Sequence, residues 1–164
     1  MPLYHQTIPS PIGTLHAVAD DHALHVLTFA TTWDVERSKL GELYERSTAL
    51  LEHTAQQLTE YFAGQRQHFD LPLHFKGTPF QQQVWQALLS IPYGETISYG
   101  EQATRLGNPQ AVRAIGRTNG LNPIAIIAPC HRVIGKSGQL TGYAGGLEAK
   151  RYLLELESKQ RSLC

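Results

Sequence analysis

Between Pro123 and Pro129 runs an unbroken apolar stretch, Ile124-Ala125-Ile126-Ile127-Ala128, and it constrains the fold more than any other segment of the 164-residue chain. Such a run is expected to be buried. Its ends are pinned, because each proline fixes its own φ. Directly after it come Cys130, His131 and Arg132. A thiol is a poor nucleophile until it ionises, and neighbouring cations or an imidazole favour that ionisation. Adjacency in sequence does not join the two groups, since successive side chains of extended chain point apart. A turn or a bridging water is needed. Taken alone, Pro-Cys-His equally describes a buried, inert cysteine.

The two flanks of the chain differ in charge. Residues 1–77 hold five Lys/Arg against nine Asp/Glu, and residues 78–164 hold nine against five, so a net charge of zero conceals −4 and +4. Seven of the eight histidines precede residue 78. This points to two domains with different tasks, 1–77 and 78–164, the second able to face phosphates. Chance scatter of charge would give the same numbers. Only Cys130 and the terminal Cys164 could form a disulfide, and a frayed end argues against it. The N-terminus has no signal-peptide pattern and no apolar run reaches the roughly 18 residues of a membrane span. A cytoplasmic protein with no membrane partner is expected.

The first half reads as a small antiparallel-sheet α/β domain. Strands are expected at 3–8, 14–19 and 23–29, with turns at Ser10–Gly13 and Asp20–His22. A helix is expected from about Thr48 to Phe62, with Leu51, Leu58 and Phe62 inward and Gly64 as its stop. Phe69, Leu71, Leu73 and Phe75 then alternate as a strand that Pro72 confines to a sheet edge. No residue group here reads as catalytic or as a metal site.

The second half is mainly helical, giving an α+β fold overall. Thr78-Pro79-Phe80-Gln81 is a capping box with proline at N1, opening a helix that Pro92-Tyr93-Gly94 ends. Phe80, Val84, Leu88 and Ile91 are expected on its inner face, with Trp85 and Leu89 beside them. Ser98 to Glu101 reads as a second capping box, starting a short helix closed by Gly107. Asn108-Pro109 is expected to open a third helix through Asn119, closed by Gly120. The last two fit a helix-turn-helix with Arg113 and Arg117 on one face. Their spacing fits an ordinary helical hairpin with solvated arginines as well.

Pro129-Cys130-His131-Arg132-Val133-Ile134-Gly135 resembles the active-site signature of the O6-alkylguanine-DNA alkyltransferases, also called methylated-DNA–protein-cysteine methyltransferases. Further matching segments are Thr78 to Trp85, Ile91 to Thr96, Ser98-Tyr99-Gly100, Asn108 to Gly116, Asn122-Pro123, Thr141 to Leu147, and Lys150. The resemblance is specific over residues 78–157 and rests on length and pattern before that.

The resemblance implies a role for each matching residue. Cys130 would accept the alkyl group, irreversibly and once per molecule. His131 would be its base through a water, and Glu157 would hold that imidazole. Asn122 would brace the cysteine turn, and Tyr99 would donate toward the leaving guanine. Arg113 would fill the place of a flipped nucleotide. Ala111, Ala114, Gly116, Arg117 and Tyr99 would meet double-stranded DNA through its minor groove. Val133 and Tyr143, Ala144, Gly145 and Gly146 would form the pocket for O6-alkylguanine, with O4-alkylthymine a second substrate. No cofactor and no metal is implied, and the protein would act as a monomer. Some family members have serine where this chain has Ala144, and some hold zinc on N-terminal cysteines that this chain lacks. A Cys–His hydrolase and a non-catalytic lesion binder remain alternatives.

Overall fold

The structure, a computed structural model, describes residues 1–138, 140 and 142–162; Thr141 and Cys164 lie outside them. The chain forms two compact units, Met1–Phe75 and Lys76–Cys164. The sequence reading sets the boundary after residue 77.

In the first unit β1 (Leu3–Ile8), β2 (Leu15–Ala19) and β3 (Leu24–Phe29) make the expected antiparallel meander, registered at His5↔Val18 and Ala17↔Leu27. The sequence reading omits two elements. Helix α1 (Trp33–Ser38) has no fully buried residue, so it carries no apolar stripe to read. Strand β4 (Leu43–Tyr44) is too short for a period, and pairs in parallel with β1 to give the order β3-β2-β1-β4. Helix α2 (Ala49–Phe62) is capped by Thr48, whose hydroxyl accepts from Leu51 N at 3.2 Å. It buries Leu51, Thr54, Leu58 and Tyr61, so Tyr61 rather than Phe62 completes the inner face. Gly64, at φ +76°, follows its end.

Residues 69–75 do not form the expected strand. They touch β3 through one bridge, Leu24↔Leu73, with Leu24 N donating to Pro72 O at 2.8 Å and His74 N to Leu24 O at 2.9 Å. Pro72 has no amide to extend the ladder.

The second unit opens with α3 (Pro79–Leu88), and its capping box is complete: Gln81 N donates to Thr78 Oγ1 and Thr78 N to Gln81 Oε1. Val84, Trp85 and Leu88 are buried, whereas Leu89 is exposed and Ile91 is buried beyond the helix end. The helix therefore stops ahead of Pro92-Tyr93-Gly94, which forms a separate turn with Gly94 at φ +78°. Strand β5 (Ile97–Ser98) leads into α4 (Tyr99–Arg105). Ser98 caps it by accepting from Glu101 N at 3.0 Å, but the Glu101 carboxylate pairs with Arg105 at 2.5 Å, so the expected second box is half formed.

Helix α5 (Val112–Gly120) begins later than expected. Ala111 N donates to Asn108 O at 3.0 Å, so Asn108–Ala111 is a turn rather than helix, and Gly120 is the last helical residue rather than a stop. Trp85 Nε1 reaches Thr118 O at 2.8 Å and ties α3 to α5. Strand β6 (Val133–Ile134) pairs in parallel with β5, and α6 (Leu147–Ser162) ends the described chain. Among the described residues no helix is long and apolar enough to cross a membrane.

Candidate active site

The proline-bracketed run is buried throughout, from Ile124 to Ala128. It is not extended. Ile127 N donates to Ala125 O at 2.7 Å and Ala128 N to Ile124 O at 3.1 Å, and Ile126 sits at φ +71°. Left-handed backbone at a β-branched residue costs about 1–3 kcal/mol and persists only where the surroundings hold it. Asn122 is one of those supports. Its Oδ1 accepts from Ile124 N at 3.0 Å, and its Nδ2 donates to Ala128 O at 2.8 Å and to Cys130 Sγ at 3.3 Å. One side chain thus clamps both ends of the turn and the thiol it presents.

Cys130 begins a single tight turn, Cys130–Arg132, whose three residues are all buried. Among the described residues Cys130 Sγ is bonded by Asn122 and not by His131. The imidazole instead turns toward α6, where Nε2 meets Glu157 Oε2 at 2.7 Å, and its Nδ1 has no partner among the described residues. Arg132 holds the same carboxylate with both forks, Nε to Oε1 at 2.9 Å and Nη2 to Oε2 at 3.0 Å. Its third nitrogen donates to Ile91 O at 2.6 Å, and its guanidinium lies 5.6 Å from the Tyr93 ring centre. Gly94 N adds a longer bond to Glu157 Oε1 at 3.3 Å. The buried charge is therefore paired and its lone pairs are occupied.

The electrostatics follow. Burial works to raise the Glu157 carboxyl, but His131 and Arg132 outweigh it and hold the group far below the ordinary carboxylate range. Burial pushes the Cys130 thiol up, against the Asn122 bond and the positive charge of Lys150. Cationic neighbours do not win here, so the resting site favours thiol over thiolate. Burial also lowers His131, against the pull of Glu157, so its imidazole rests neutral near pH 7. A neutral imidazole held by a fixed carboxylate can take up a proton, and a thiol that gives one up becomes the nucleophile.

The remaining expected site residues fall into two groups. Val133 is buried directly after the turn, and its carbonyl accepts from the buried Lys150 ammonium at 2.8 Å. The Tyr143 hydroxyl is buried, and burial together with the charges of Cys130 and Glu157 pushes it well above the ordinary tyrosine value. Tyr143 O accepts from Gly146 N, closing a loop in which Ala144 is exposed and Gly145 half-buried. The β5–β6 ladder, Ile97↔Val133 and Ser98↔Ile134, sets Tyr99 one residue beyond the strand paired to the cysteine turn. On α5, Arg113 and Arg117 are exposed and Ala114 and Gly116 are half-buried, as is Ala111 just ahead of it. A Cβ at Gly116 would lie 4.0 Å from the Tyr99 ring, so α5 passes close to the start of α4.

Arg132 and Lys150 hold the site in ways that the sequence reading did not assign. The signal for Arg132 was its place in a buried segment, where a guanidinium requires a carboxylate partner. Among the described residues no cluster of three or more His, Cys, Asp or Glu could hold a metal ion.

Comparison with known proteins covers both units. Residues 3–75 match the family description "6-O-methylguanine DNA methyltransferase, ribonuclease-like domain", and residues 79–159 match "6-O-methylguanine DNA methyltransferase, DNA binding domain". A methylated-DNA–protein-cysteine methyltransferase of Mycobacterium tuberculosis is 48% identical over 159 residues, 96% of this chain and 94% of its own length. The constitutive methylated-DNA–protein-cysteine methyltransferase of Bacillus subtilis is 46% identical, with 94% of each chain covered. A crystal structure of Mycobacterium tuberculosis OGT in complex with DNA superposes with a TM-score of 0.88 at 49% identity, over 96% of this chain and 94% of that one. With both units matched and the Cys130 turn intact, this chain belongs to the 6-O-methylguanine DNA methyltransferase family.

Proposed function

We propose that this chain repairs alkylated DNA by moving the alkyl group from O6 of guanine onto Cys130 Sγ, once per molecule. The observation that carries the reading is the buried turn itself. It presents one thiol, held by Asn122, beside an imidazole whose partner carboxylate is fixed by an arginine. The names of the relatives support the same reaction.

In the proposed step a water passes the Cys130 proton to His131 Nδ1, and Glu157 stabilises the imidazolium that forms. The thiolate attacks the alkyl carbon, and the carbon–O6 bond breaks. Its electron pair stays with guanine, which takes a proton from Tyr99 and leaves neutral. The tyrosine is reprotonated from the pool that His131 feeds. Thiol and O6-alkylguanine become thioether and guanine, with no net redox change. A thioether offers water no good leaving group, so the protein is consumed.

O6 lies inside the duplex, so the nucleotide must be extruded at a cost of a few kcal/mol. Arg113, exposed near the start of α5, is suited to fill the gap and stack on the neighbouring bases. The small residues Ala111, Ala114 and Gly116 would let α5 approach the minor groove, where readout is degenerate and a lesion scanner loses nothing. Arg117 would bind a phosphate. Val133 and the Tyr143–Gly146 loop would line the base pocket. O4-alkylthymine would be a second substrate, and a monomer acting in the cytoplasm would suffice. The first unit would be a support, and the second would carry DNA binding and transfer.

Intact-mass measurement after mixing with O6-methylguanine duplex tests the reading. A gain of one methyl per chain, mapped to Cys130, is expected. Loss of substrate with unchanged protein mass would instead indicate a Cys–His hydrolase, and binding without either change a lesion binder.

A further inference from the structure

The C-terminal end of α5 is mounted at three points. Trp85 of α3 holds the Thr118 carbonyl at 2.8 Å. Asn119 exchanges two hydrogen bonds with Gln102 of α4: Asn119 Nδ2 donates to Gln102 Oε1 at 2.8 Å, and Gln102 Nε2 to Asn119 Oδ1 at 3.1 Å. The Asn119 carbonyl then accepts from Asn122 N at 3.2 Å, and Asn122 is the residue that reaches Cys130 Sγ. Gln102 and Asn119 are only 2% and 6% exposed.

Primary amides are seldom this buried, and apolar side chains of the same shape would avoid their desolvation at little net cost. What the amides add is direction. Two reciprocal N–H···O bonds fix both the separation and the rotation of one helix against another, and apolar packing leaves both softer. Tyr99 is the first residue of α4, Arg113 the second of α5, and Gly116 lies against the Tyr99 ring. The relative setting of the two helices therefore sets the relative placement of those two side chains.

We propose that the Gln102–Asn119 amide pair is a positioning element of the transfer reaction, holding α5 against α4 so that Arg113 stands in register with Tyr99 and the Cys130 turn, while the β5–β6 ladder keeps Tyr99 itself beside that turn. The inference rests on the alkyl-transfer reading above. Both residues act through the helices that carry them. The pair matters when a duplex has to be opened and a base delivered, and not when the free base diffuses in.

The test compares Gln102→Leu, Asn119→Leu and the double variant with the unaltered protein, using O6-methylguanine duplex and free O6-methylguanine, alongside thermal melting. Each single variant leaves one buried amide unpaired and should melt lower, whereas the double variant should melt near the unaltered protein. All three should repair duplex more slowly, by up to about 10²-fold, the scale of a group misplaced by an ångström, while free-base rates stay within about twofold. Should the double variant melt below the assay temperature, Gln102→Met combined with Asn119→Leu provides the same comparison with the length of the Gln102 side chain kept. A double variant that regains both melting temperature and duplex rate would overturn the proposal, because the pair would then serve stability alone. Parallel slowing on duplex and free base would also overturn it. If the unaltered protein gains no methyl mass, the alkyl-transfer reading fails and the proposal falls with it; normal transfer with unchanged duplex rates in the variants removes the proposal alone.

Discussion

Each unit contains a histidine bonded to a glutamate, and the two pairs have opposite surroundings. In the first unit His5 Nδ1 meets Glu45 Oε2 at 2.5 Å and His5 Nε2 meets His16 Nδ1 at 2.9 Å. Trp33 stacks flat over both imidazoles, with ring centres 4.5 Å apart, and Glu45 is 69% exposed. Both nitrogens of His5 are occupied, and the unit contains no cysteine. In the second unit Glu157 is 1% exposed and clasped by Arg132, and His131 keeps its Nδ1 beside the cysteine turn. The same two residue types make a structural clip in one place and, in the proposed reaction, a proton acceptor in the other. What separates them is a fixed carboxylate, a ring nitrogen with no partner among the described residues and a thiol in the same turn.

The largest effect that follows is at the nucleophile. Cys130→Ser should end transfer and keep DNA binding, because an alcohol is far less ionised than a thiol. With substrate in excess, the unaltered protein should plateau at one repaired guanine per molecule, and Cys164→Ser should repair normally. Continued product formation, or a mark on Cys164, would break the comparison outright.

The two histidines come next. His131→Ala should slow transfer by about 10²–10⁴-fold, the usual contribution of a general base, and His5→Ala should change it less than about twofold. Transfer rates measured by single-turnover quench decide this, and equal losses would erase the distinction. Glu157→Ala should also destabilise by about 3–5 kcal/mol, since it strands the buried Arg132 charge, and denaturant melts report that loss.

DNA affinity should divide the same way, with a smaller effect. Arg113→Glu and Arg117→Glu should weaken duplex binding and lower the salt slope by about one for each phosphate that is no longer neutralised. Arg37→Glu and Arg46→Glu in the first unit should do much less. The reverse ranking in salt-titrated binding assays would put the DNA surface on the wrong unit.

Acid sharpens the contrast more gently. Burial holds His131 below its ordinary 6.5, so around that pH the unfolded chain binds more protons than the folded one, and His131 stabilises above 6.5 and loses that contribution as pH falls. Glu157 is depressed from its ordinary 4.5, so its contribution is complete above that value and is lost as pH falls further. Melting temperature should therefore decline below about pH 6, and His131→Gln should flatten the first part of that decline. An unchanged profile in His131→Gln would remove the buried neutral imidazole from the account. The smallest effect concerns metal: EDTA should leave the transfer rate unaltered, and loss restored by zinc would contradict the metal-free chemistry.

Much of this was legible locally. The meander follows from alternation and turn residues in residues 3–29, and the Thr78 cap follows from residues three apart. These features depend on neighbours in sequence, and neighbours in sequence are what a sequence displays. Strand β4 and helix α1 were not legible, since two paired residues have no period and a helix with no fully buried face has no stripe. The start of α5 is not fixed by local sequence, because Asn108-Pro109 serves a turn as readily as a helix N-terminus.

For the site, sequence by itself determined that a cysteine, a histidine and an arginine would follow a buried, proline-pinned run, and the family resemblance supplied Glu157, Asn122 and Tyr99 as partners. Only the tertiary structure decided how they meet. It joined His131 Nε2 to Glu157 on α6, gave Arg132 both oxygens of Glu157, set Lys150 on the Val133 carbonyl and joined Gln102 to Asn119. Those bonds span 17 to 26 positions of chain. Local pattern has a reach of a few residues, whereas a buried charge or amide must find its partner wherever packing brings one, because leaving it unpaired costs more than the bond gains.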